Sequence, residues 1–501
     1  MDGDRDSELE AEAPEPGTKR QRVAIAGASG FVGRAIRREL KDRFEIVALT
    51  RRSSGSDKVE MDSEGVLWKT CDLFDEWDVS EALVDIDIVI YLVHSMSPQS
   101  RLTQGGFSDL DLVLAHNVRR AADRAGVSRI IFLGGLDADL DEGHLSAHLA
   151  SRREVGIVLQ SGKPSFTELR AGLVIGRGGS SFRMMMRLIR RLPLMVLPRW
   201  TSTPTQPISI DDIQTAVRIV MEDDDRWIGG YDLGMPDQLN YGTMICRAAK
   251  CIGRNPVTIP VPISSPRIST LWIMLFSGEP RSLVIPLIAS LSTPTVARPN
   301  SLLDRVQESG MTGFEDAIRK ALEDHGERED PRAIMRRHNR EVIQRLSLVR
   351  SIQRVSMPSN PSPDLVSSSY WKWLGGLAPW IIRVKTDSED GVKTKSAEIL
   401  LFGAVSLLRL ERIPGRCDEE SETMEIISGL LVRDGPVYKG RFEFRTIHCR
   451  KLVVMALQDY APSLPWFIYQ FSQAIAHRVV MSLFSRWLRR KSGLGDDEKT
   501  I

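Results

Sequence analysis

Three glycines spaced by three, Gly27, Gly30 and Gly33, follow the apolar run Arg22-Val-Ala-Ile-Ala26 and lead into Phe31-Val-Gly-Arg-Ala-Ile-Arg-Arg-Glu-Leu40. Residues of this type at this spacing can cradle a dinucleotide pyrophosphate. Gly27 permits a sharp turn at a strand end, Gly30 lets phosphates approach the backbone, and Gly33 allows the next helix to pack on the strand. The N–H groups and positive dipole end of that helix then face the anion. A second apolar run, Phe44-Glu-Ile-Val-Ala-Leu-Thr50, follows at the distance a βαβ unit requires. A glycine-rich turn that binds nothing is the competing explanation of the triplet taken alone.

The residues after that second strand bear on which dinucleotide is held. A site selective for NAD places an acidic residue about 20 positions past the glycines, on the ribose hydroxyls. Here the strand ends Leu49-Thr50-Arg51-Arg52. Guanidinium groups suit a 2′-phosphate, so Arg51 and Arg52 favour NADP(H), with NAD(H) as the alternative. The bland alternative is a pair of solvated loop charges.

These residues must be positioned by a frame, and the chain supplies one. The runs Gly65-Val-Leu-Trp-Lys-Thr-Cys-Asp72, Ile86-Asp-Ile-Val-Ile-Tyr-Leu-Val93 and Ser128-Arg-Ile-Ile-Phe-Leu-Gly134 alternate with helical segments, one of them Asp109 to Ala125 with Gly126 placed to end it. This rhythm predicts an α/β doubly wound parallel sheet. Ligands on such sheets lie outside the carboxyl ends of the strands. The expected nucleotide contacts are therefore Gly27, Ser29, Gly30, Phe31, Val32 and Gly33 in the loop, Arg51 and Arg52, Asp72 and Leu73, and Leu92, Val93 and His94. Asp72 is a candidate acceptor for the adenine amino group.

Bulk properties narrow the function classes. A chain of 501 residues, 42% hydrophobic, can bury a large core in two or three domains. Its net charge of +1 argues against nucleic acid as the main partner. Cys71, Cys246, Cys251, Cys417 and Cys449 form no CxxC pair, which suits a reducing interior and offers no metal site. Residues 1–20 read as a disordered acidic tail without the apolar core of a secretory signal. Leu271–Phe276 and Leu283–Leu291 are interrupted by Gly278-Glu-Pro-Arg281, so no membrane span is expected, and the predicted location is cytoplasmic.

Residues from about 21 to 300 resemble the atypical short-chain dehydrogenase/reductases, near their extended and NmrA-like members. The resemblance is carried, in order, by Gly27-Ala-Ser-Gly-Phe-Val-Gly33, Tyr91-Leu-Val-His-Ser-Met96, Ala115-His-Asn-Val118, Ala125–Gly135, Leu145-Ser-Ala-His-Leu-Ala-Ser-Arg152, Thr167–Gly176 and Gln206-Pro-Ile-Ser-Ile-Asp-Asp212. It implies a Rossmann-type fold and NADP(H) as ligand. Carbonyl-reducing members use a Tyr-x-x-x-Lys pair on the helix after the fifth strand, the lysine lowering the phenol pKa for proton exchange. Here that helix reads His148-Leu-Ala-Ser-Arg152, and the usual Ser or Thr gives way to Gly134-Gly135-Leu136-Asp137. His148 is the candidate proton donor as an imidazolium, with Arg152 on the nicotinamide ribose; the alternative is a surface helix residue. His94 either contacts ribose or substrate or is satisfied by backbone. The resemblance favours Asn117, beside His116, as a buried strand-bridging group.

Residues 177–310 should complete this unit with a substrate lobe. Ser181-Phe-Arg-Met-Met-Met-Arg-Leu-Ile-Arg-Arg191 can line an apolar pocket, form the buried face of an ordinary helix, or touch a membrane surface peripherally. Residues 311–365 read as a helical arm and linker. From 366 to 495 an α+β domain is expected, with strands at Tyr370–Trp373, Trp380–Val384, Ala397–Phe402, Val405–Leu410, Met424–Val432, Gly440–Ile447 and Leu452–Leu457, and a long helix from Trp466 to Leu488. It resembles the uncharacterised C-terminal domain of some bacterial atypical reductases and, more distantly, helix-grip lipid-binding folds. That likeness implies an apolar cavity with His477 and Arg478 as its polar contacts; the alternative for these two residues is a solvated helix face. Two functions of different class fit these residues: an NADP(H)-dependent oxidoreductase acting on a small apolar carbonyl compound or quinone, and a non-catalytic protein that senses the NADP(H) ratio. Oligomeric state leaves no signature in the sequence.

Overall fold

A computed structural model describes residues 20–51, 59–95, 102–137, 145–223, 226–262, 274, 278, 281–323, 348–389, 393–433, 440–464, 469 and 472–492. The acidic tail, Arg52, Met96 and most of the 271–276 run lie outside the described residues. Two eight-stranded sheets dominate the fold. The strands that build them are β1 (Arg22–Ala26), β2 (Glu45–Thr50), β3 (Val59–Met61), β4 (Leu67–Thr70), β5 (Ile88–Tyr91), β6 (Leu102–Gln104), β7 (Arg129–Gly135), β8 (Ser165–Ala171) and β9 (Gly229–Leu233). Further along come β10 (Val349–Ser356), β11 (Ile382–Glu389), β12 (Lys393–Leu401), β13 (Val405–Arg412), β14 (Ser421–Ser428), β15 (Arg441–Ile447) and β16 (Leu452–Tyr460).

The first sheet runs β9-β8-β7-β5-β1-β2-β4-β3, parallel except where β3 turns back on β4. Its central strands are buried on both faces, which is why they read as unbroken apolar runs. Helices α1 (Phe31–Leu40), α6 (Ile210–Glu222) and α9 (Ser301–Glu308) cover one face; α2 (Glu76–Ala82), α3 (Phe107–Ala125) and α4 (Ala147–Gln160) cover the other. Gly126 closes α3 in the left-handed conformation, φ +72°, its N–H donating to Ala122 O, as its position in the sequence predicts. Helices α5 (Ser180–Arg191), α7 (Tyr241–Cys251), α8 (Arg281–Ser290) and α10 (Phe314–Glu323) form the adjoining lobe, where Met184, Met185 and Met186 join a buried apolar cluster.

The second sheet runs β11-β12-β13-β14-β15-β16-β10-β6 and is antiparallel apart from its last pair. One face lies on α2 and α3; α11 (Pro363–Leu377) and α12 (Gln473–Lys491) cover the other. β16 shows both contacts in its own alternation: Leu452, Val454 and Ala456 join the core beneath α3, while Val453, Met455 and Leu457 join the core beneath α11 and α12. β15 alternates Phe442 and Phe444 toward the helices with Arg441, Glu443 and Arg445 on the opposite face, against the first unit.

Several expectations change. Tyr370–Trp373 is helical, because Val366, Tyr370, Trp371 and Leu374 recur at helical spacing behind a proline at the first turn. The 311–365 segment holds α10 and β10, and β10 is an interior strand: its charged Arg350 and Arg354 pair with carboxylates of the first unit instead of solvent. The terminal helix begins at Gln473, and Trp466 lies outside the described residues. The space between second sheet and helices, where a ligand cavity was expected, is filled by Tyr370, Trp371, Phe442, Phe444 and Phe484, whose ring centroids stand 4.7–6.2 Å apart. His477 is half-buried and Arg478 exposed.

Charge dominates the seam between the units. Arg119 and Arg120 of α3 bind Glu420, and Arg120 also binds Asp418 and Glu76; Arg441 binds Asp75 at 2.7 Å; Arg354 binds Asp109 and Glu154, each at 2.9 Å; Arg445 donates to Asn117. His116 lies under this seam, 3.6 Å from Glu420, and burial drives its imidazole down to about 4 despite that carboxylate. Unfolded, a histidine titrates near 6.5, so below that value the unfolded chain binds more protons than the native one. Stability is therefore intact above about pH 6.5 and declines toward pH 4, His116 alone contributing on the order of 3 kcal/mol. Asp75, Glu76 and Asp418, held low by the arginines facing them, and Glu420, held low by His116 and then Arg119, each against the upward push of burial, extend the loss to lower pH with the same sign. Thermal melts across this range should show the decline, and His116→Gln should flatten its upper part; an unchanged profile would remove His116 from the account.

Candidate functional site

The glycine loop has the geometry of an anion cradle. Gly27 holds φ +96°, and a Cβ there would meet Leu92 at 3.2 Å. A Cβ on Gly33 would sit 2.3 Å from Gly27 O, so any side chain would part the loop from α1. Gly30 caps α1 without a capping side chain, and no acidic residue occupies the first turn. The helix start is thus left to an external anion, the requirement of a pyrophosphate. Arg34 donates to Ser29 O at 2.7 Å and Arg37 to Ala28 O at 3.2 Å. Neither arginine was singled out in the sequence, although Gly33-Arg34-x-x-Arg37 places both on the helix side that borders the loop. The Phe31 ring packs against Gly176 and Gly178. Its place in a nucleotide site is consequently one of backbone.

At the other expected contacts the structure brings in a second partner. Asp72 accepts from Phe74 N–H at 3.2 Å and from Arg350 of β10 at 2.6 Å. Arg350 also reaches Asp459 at 3.2 Å and lies 4.0 Å over the Phe74 ring. The residue chosen for adenine is therefore tied to the second unit. Arg51 is exposed at the end of β2 and has a partner of its own.

His94 and His148, 54 positions apart, come together. Their rings stack at 4.9 Å and 6°, with His94 Nε2 3.0 Å from His148 Nδ1. On the far side, His94 Nδ1 faces Asp111 Oδ2 at 2.9 Å, off the ideal hydrogen-bond line. Asp111 is 1% exposed, accepts the Ser95 N–H at 2.8 Å and lies 3.5 Å from the Ser151 hydroxyl. Sequence analysis placed Asp111 inside a helix without giving it a role; the available signal was a carboxylate within the apolar stretch Leu110–Ala115.

Electrostatics amend two expectations. Burial, reinforced by His94 and Arg152, pushes the His148 imidazole well below its ordinary value, so it rests neutral at neutral pH and is not the standing imidazolium expected. Burial lowers His94 too, against the upward pull of Asp111, whereas Asp111 is held below the usual carboxylate range by His94 and Arg152 in spite of its burial. Arg152 donates to Val93 O at 3.0 Å and to Leu133 O, and stacks 4.6 Å over Phe132. It ties together the carboxyl ends of neighbouring strands, and those donors are engaged with backbone.

His148 also borders a pocket of about 140 Å³. Gly135, Leu136, Met184, Met185, Trp200 and Met244 form most of its apolar wall, and Tyr241 and Thr295 supply hydroxyl groups. An apolar cavity of roughly 150 Å³ takes up one benzene ring, so this space suits a single ring. The methionine stripe of α5 thus serves both core and pocket. No group of metal-ligating side chains and no helix long and apolar enough to cross a membrane occurs among the described residues.

Residues 27–171 match the model of a family described as NAD(P)H-binding. Auxiliary protein GraX of Staphylococcus aureus (strain NCTC 8325 / PS 47) is 27% identical over 114 residues, 23% of this chain and 36% of that protein. The chain spans about a third of that relative's length. Among solved structures, Citrobacter sp. triphenylmethane reductase complexed with NADP(H) is similar at TM-score 0.47 and 16% identity over 60% of this chain and 100% of that one. An NADPH-dependent quinone oxidoreductase (QOR2) of Escherichia coli is similar at TM-score 0.46 and 16% identity, over 60% and 99% respectively. The chain contains an NAD(P)H-binding domain.

Proposed function

We propose that the chain is an NADP(H)-dependent oxidoreductase that reduces a compact apolar carbonyl compound or one-ring quinone, with Asp111, His94 and His148 supplying the proton. The observation that carries this reading is the line of three groups, Asp111 to His94 at 2.9 Å and His94 to His148 at 3.0 Å, ending at a one-ring pocket. A reduced nicotinamide, when bound, supplies the hydride. The chain's own part is the proton. Protonated His94 is stabilised by buried Asp111 and donates through Nε2 to His148 Nδ1, leaving His148 Nε2–H to donate to the substrate oxygen. As that oxygen takes the His148 proton, the His94 proton moves to His148 Nδ1, and His94 ends neutral. The one proton that His148 gives to the oxygen balances the one hydride that the carbonyl carbon would receive. Arg152, bonded to Val93 O and Leu133 O, holds the strand ends on which this line stands.

Because the resting pair is neutral, reduction needs a proton loaded from solvent. Initial rates should rise as pH falls, with a midpoint below the usual histidine value of about 6.5. Rates over a panel of one-ring quinones and small aromatic aldehydes test the activity; one-ring compounds should outpace fused-ring ones. Arg51, at the end of β2, supports a preference for NADPH over NADH through its charge. Arg51→Ser should weaken NADPH about tenfold and leave NADH nearly unchanged, a loss of about 1.4 kcal/mol, as removal of one charge-assisted contact implies. Equal losses for both nucleotides would contradict the assignment.

The sensor alternative has an observation of its own. Arg350 ties Asp72 at the nucleotide edge to the interior of the second sheet, a route by which occupancy could be felt there.

A further inference from the structure

The lobe carries a second cleft, distinct from the pocket at His148, of about 620 Å³. This lies in the range of roughly 300–1,000 Å³ found for small-ligand sites. α7 separates the two spaces: Tyr241, Met244 and Ile245 line the pocket, whereas Gly242, Thr243, Cys246, Arg247 and Lys250 line the cleft. Among the described residues the lining contains three cations, Arg199, Arg247 and Lys250, and no Asp or Glu. Arg247 is tied to Asp237 at 2.7 Å and to Glu315 at 2.6 Å. Arg199 and Lys250 are exposed and have no carboxylate partner among the described residues. Two exposed cations in a concave cleft whose described lining holds no carboxylate raise the local concentration of anions, and the positive end of α7 adds to the field.

We infer that this cleft binds a small phosphoryl-bearing ligand held by Arg199 and Lys250. Neither cation belongs to the glycine loop or to the Asp111-His94-His148 line, and the inference does not depend on the oxidoreductase reading. Arginine supplies a planar fork and lysine a mobile point charge, a pairing suited to a phosphate group's several oxygens.

Cys246 gives a direct readout, since its free, half-buried thiol lines the same cleft. The full chain would be alkylated with iodoacetamide, and each cysteine's labelling rate followed by mass spectrometry. Inorganic pyrophosphate, at about ten times its dissociation constant, should slow labelling of Cys246 about tenfold by simple occupancy. Exposed Cys449 should be unaffected. The Arg199→Gln/Lys250→Gln double variant should lose the protection, judged against its own rate without pyrophosphate. Inorganic phosphate should protect at higher concentration. Absence of protection, protection by sodium chloride at matched ionic strength, or protection that survives in the double variant would overturn the site.

Discussion

His148→Ala is expected to lower the NADPH-dependent reduction of an aromatic aldehyde by 10²–10³-fold in kcat, the loss that removal of a positioned general acid produces, on the order of 3–4 kcal/mol of barrier. NADPH affinity stays within about twofold, because the glycine loop and α1 are untouched. The effect on a one-ring quinone is smaller, since quinone reduction demands less of an acid than carbonyl reduction does. Asp111→Asn follows the same pattern through a different cause: the proton on His94 loses its buried counter-charge, and the acid limb of the rate profile moves to lower pH. A merely structural role for His148 would lower stability and leave the acid limb in place. Equal kcat for wild type and His148→Ala on both substrates would remove the proton line from the mechanism.

The second large effect is expected at the seam. Arg350→Met removes the guanidinium that satisfies both Asp72 and Asp459 while keeping much of the side-chain volume over Phe74. Arg350 is 1% exposed, and its loss takes away a buried cation shared by two carboxylates, of which Asp459 keeps Arg441 at 3.3 Å and Asp72 keeps the Phe74 N–H at 3.2 Å. Breaking a fully buried pair costs about 3–5 kcal/mol, and because both carboxylates retain some exposure and Asp459 keeps Arg441 we expect about 2 kcal/mol. The result would be a lower denaturant midpoint with little change in slope. NADPH should also bind more weakly, because one cation is lost beside Asp72 and the local charge facing an anionic ligand becomes more negative. Asp72→Asn in the same chain should restore part of both losses, since it removes one of the two negative charges that Arg350 offsets. A single variant as stable as wild type would show that the seam holds by its apolar contacts alone.

The parallel sheet was legible because the interiors of β1 and β5 are buried on both faces and are apolar, and because Gly27, Gly30 and Gly33 answer separate steric demands that the structure displays one by one. The second unit was read less well for a physical reason. Its strand β15 was legible at Gly440–Ile447, but not the partner of its face carrying Arg441, Glu443 and Arg445, because charges in a strand ordinarily signal solvent; here they meet α2 and α3 of the first unit. β10 was hidden in the same way by Arg350 and Arg354. Tyr370–Trp373 misled because aromatic residues favour strands in isolation, while the spacing of Val366, Tyr370 and Leu374 decided for a helix. In the site, His94 and His148 were visible singly. Their stacking was not, since it depends on how the ends of β5 and α4 meet; Asp111 gained its role only once α3 was seen to lie beside them.

The most direct test of the central claim is to titrate the purified chain with NADPH by fluorescence, then add one-ring quinones and small aromatic aldehydes and follow absorbance at the reduced nicotinamide band. Saturable NADPH binding with its oxidation by a one-ring acceptor, faster at lower pH, is the result expected. Tight NADPH binding with no oxidation across the panel at any pH where the chain stays folded would contradict the oxidoreductase reading and transfer the weight to a sensor.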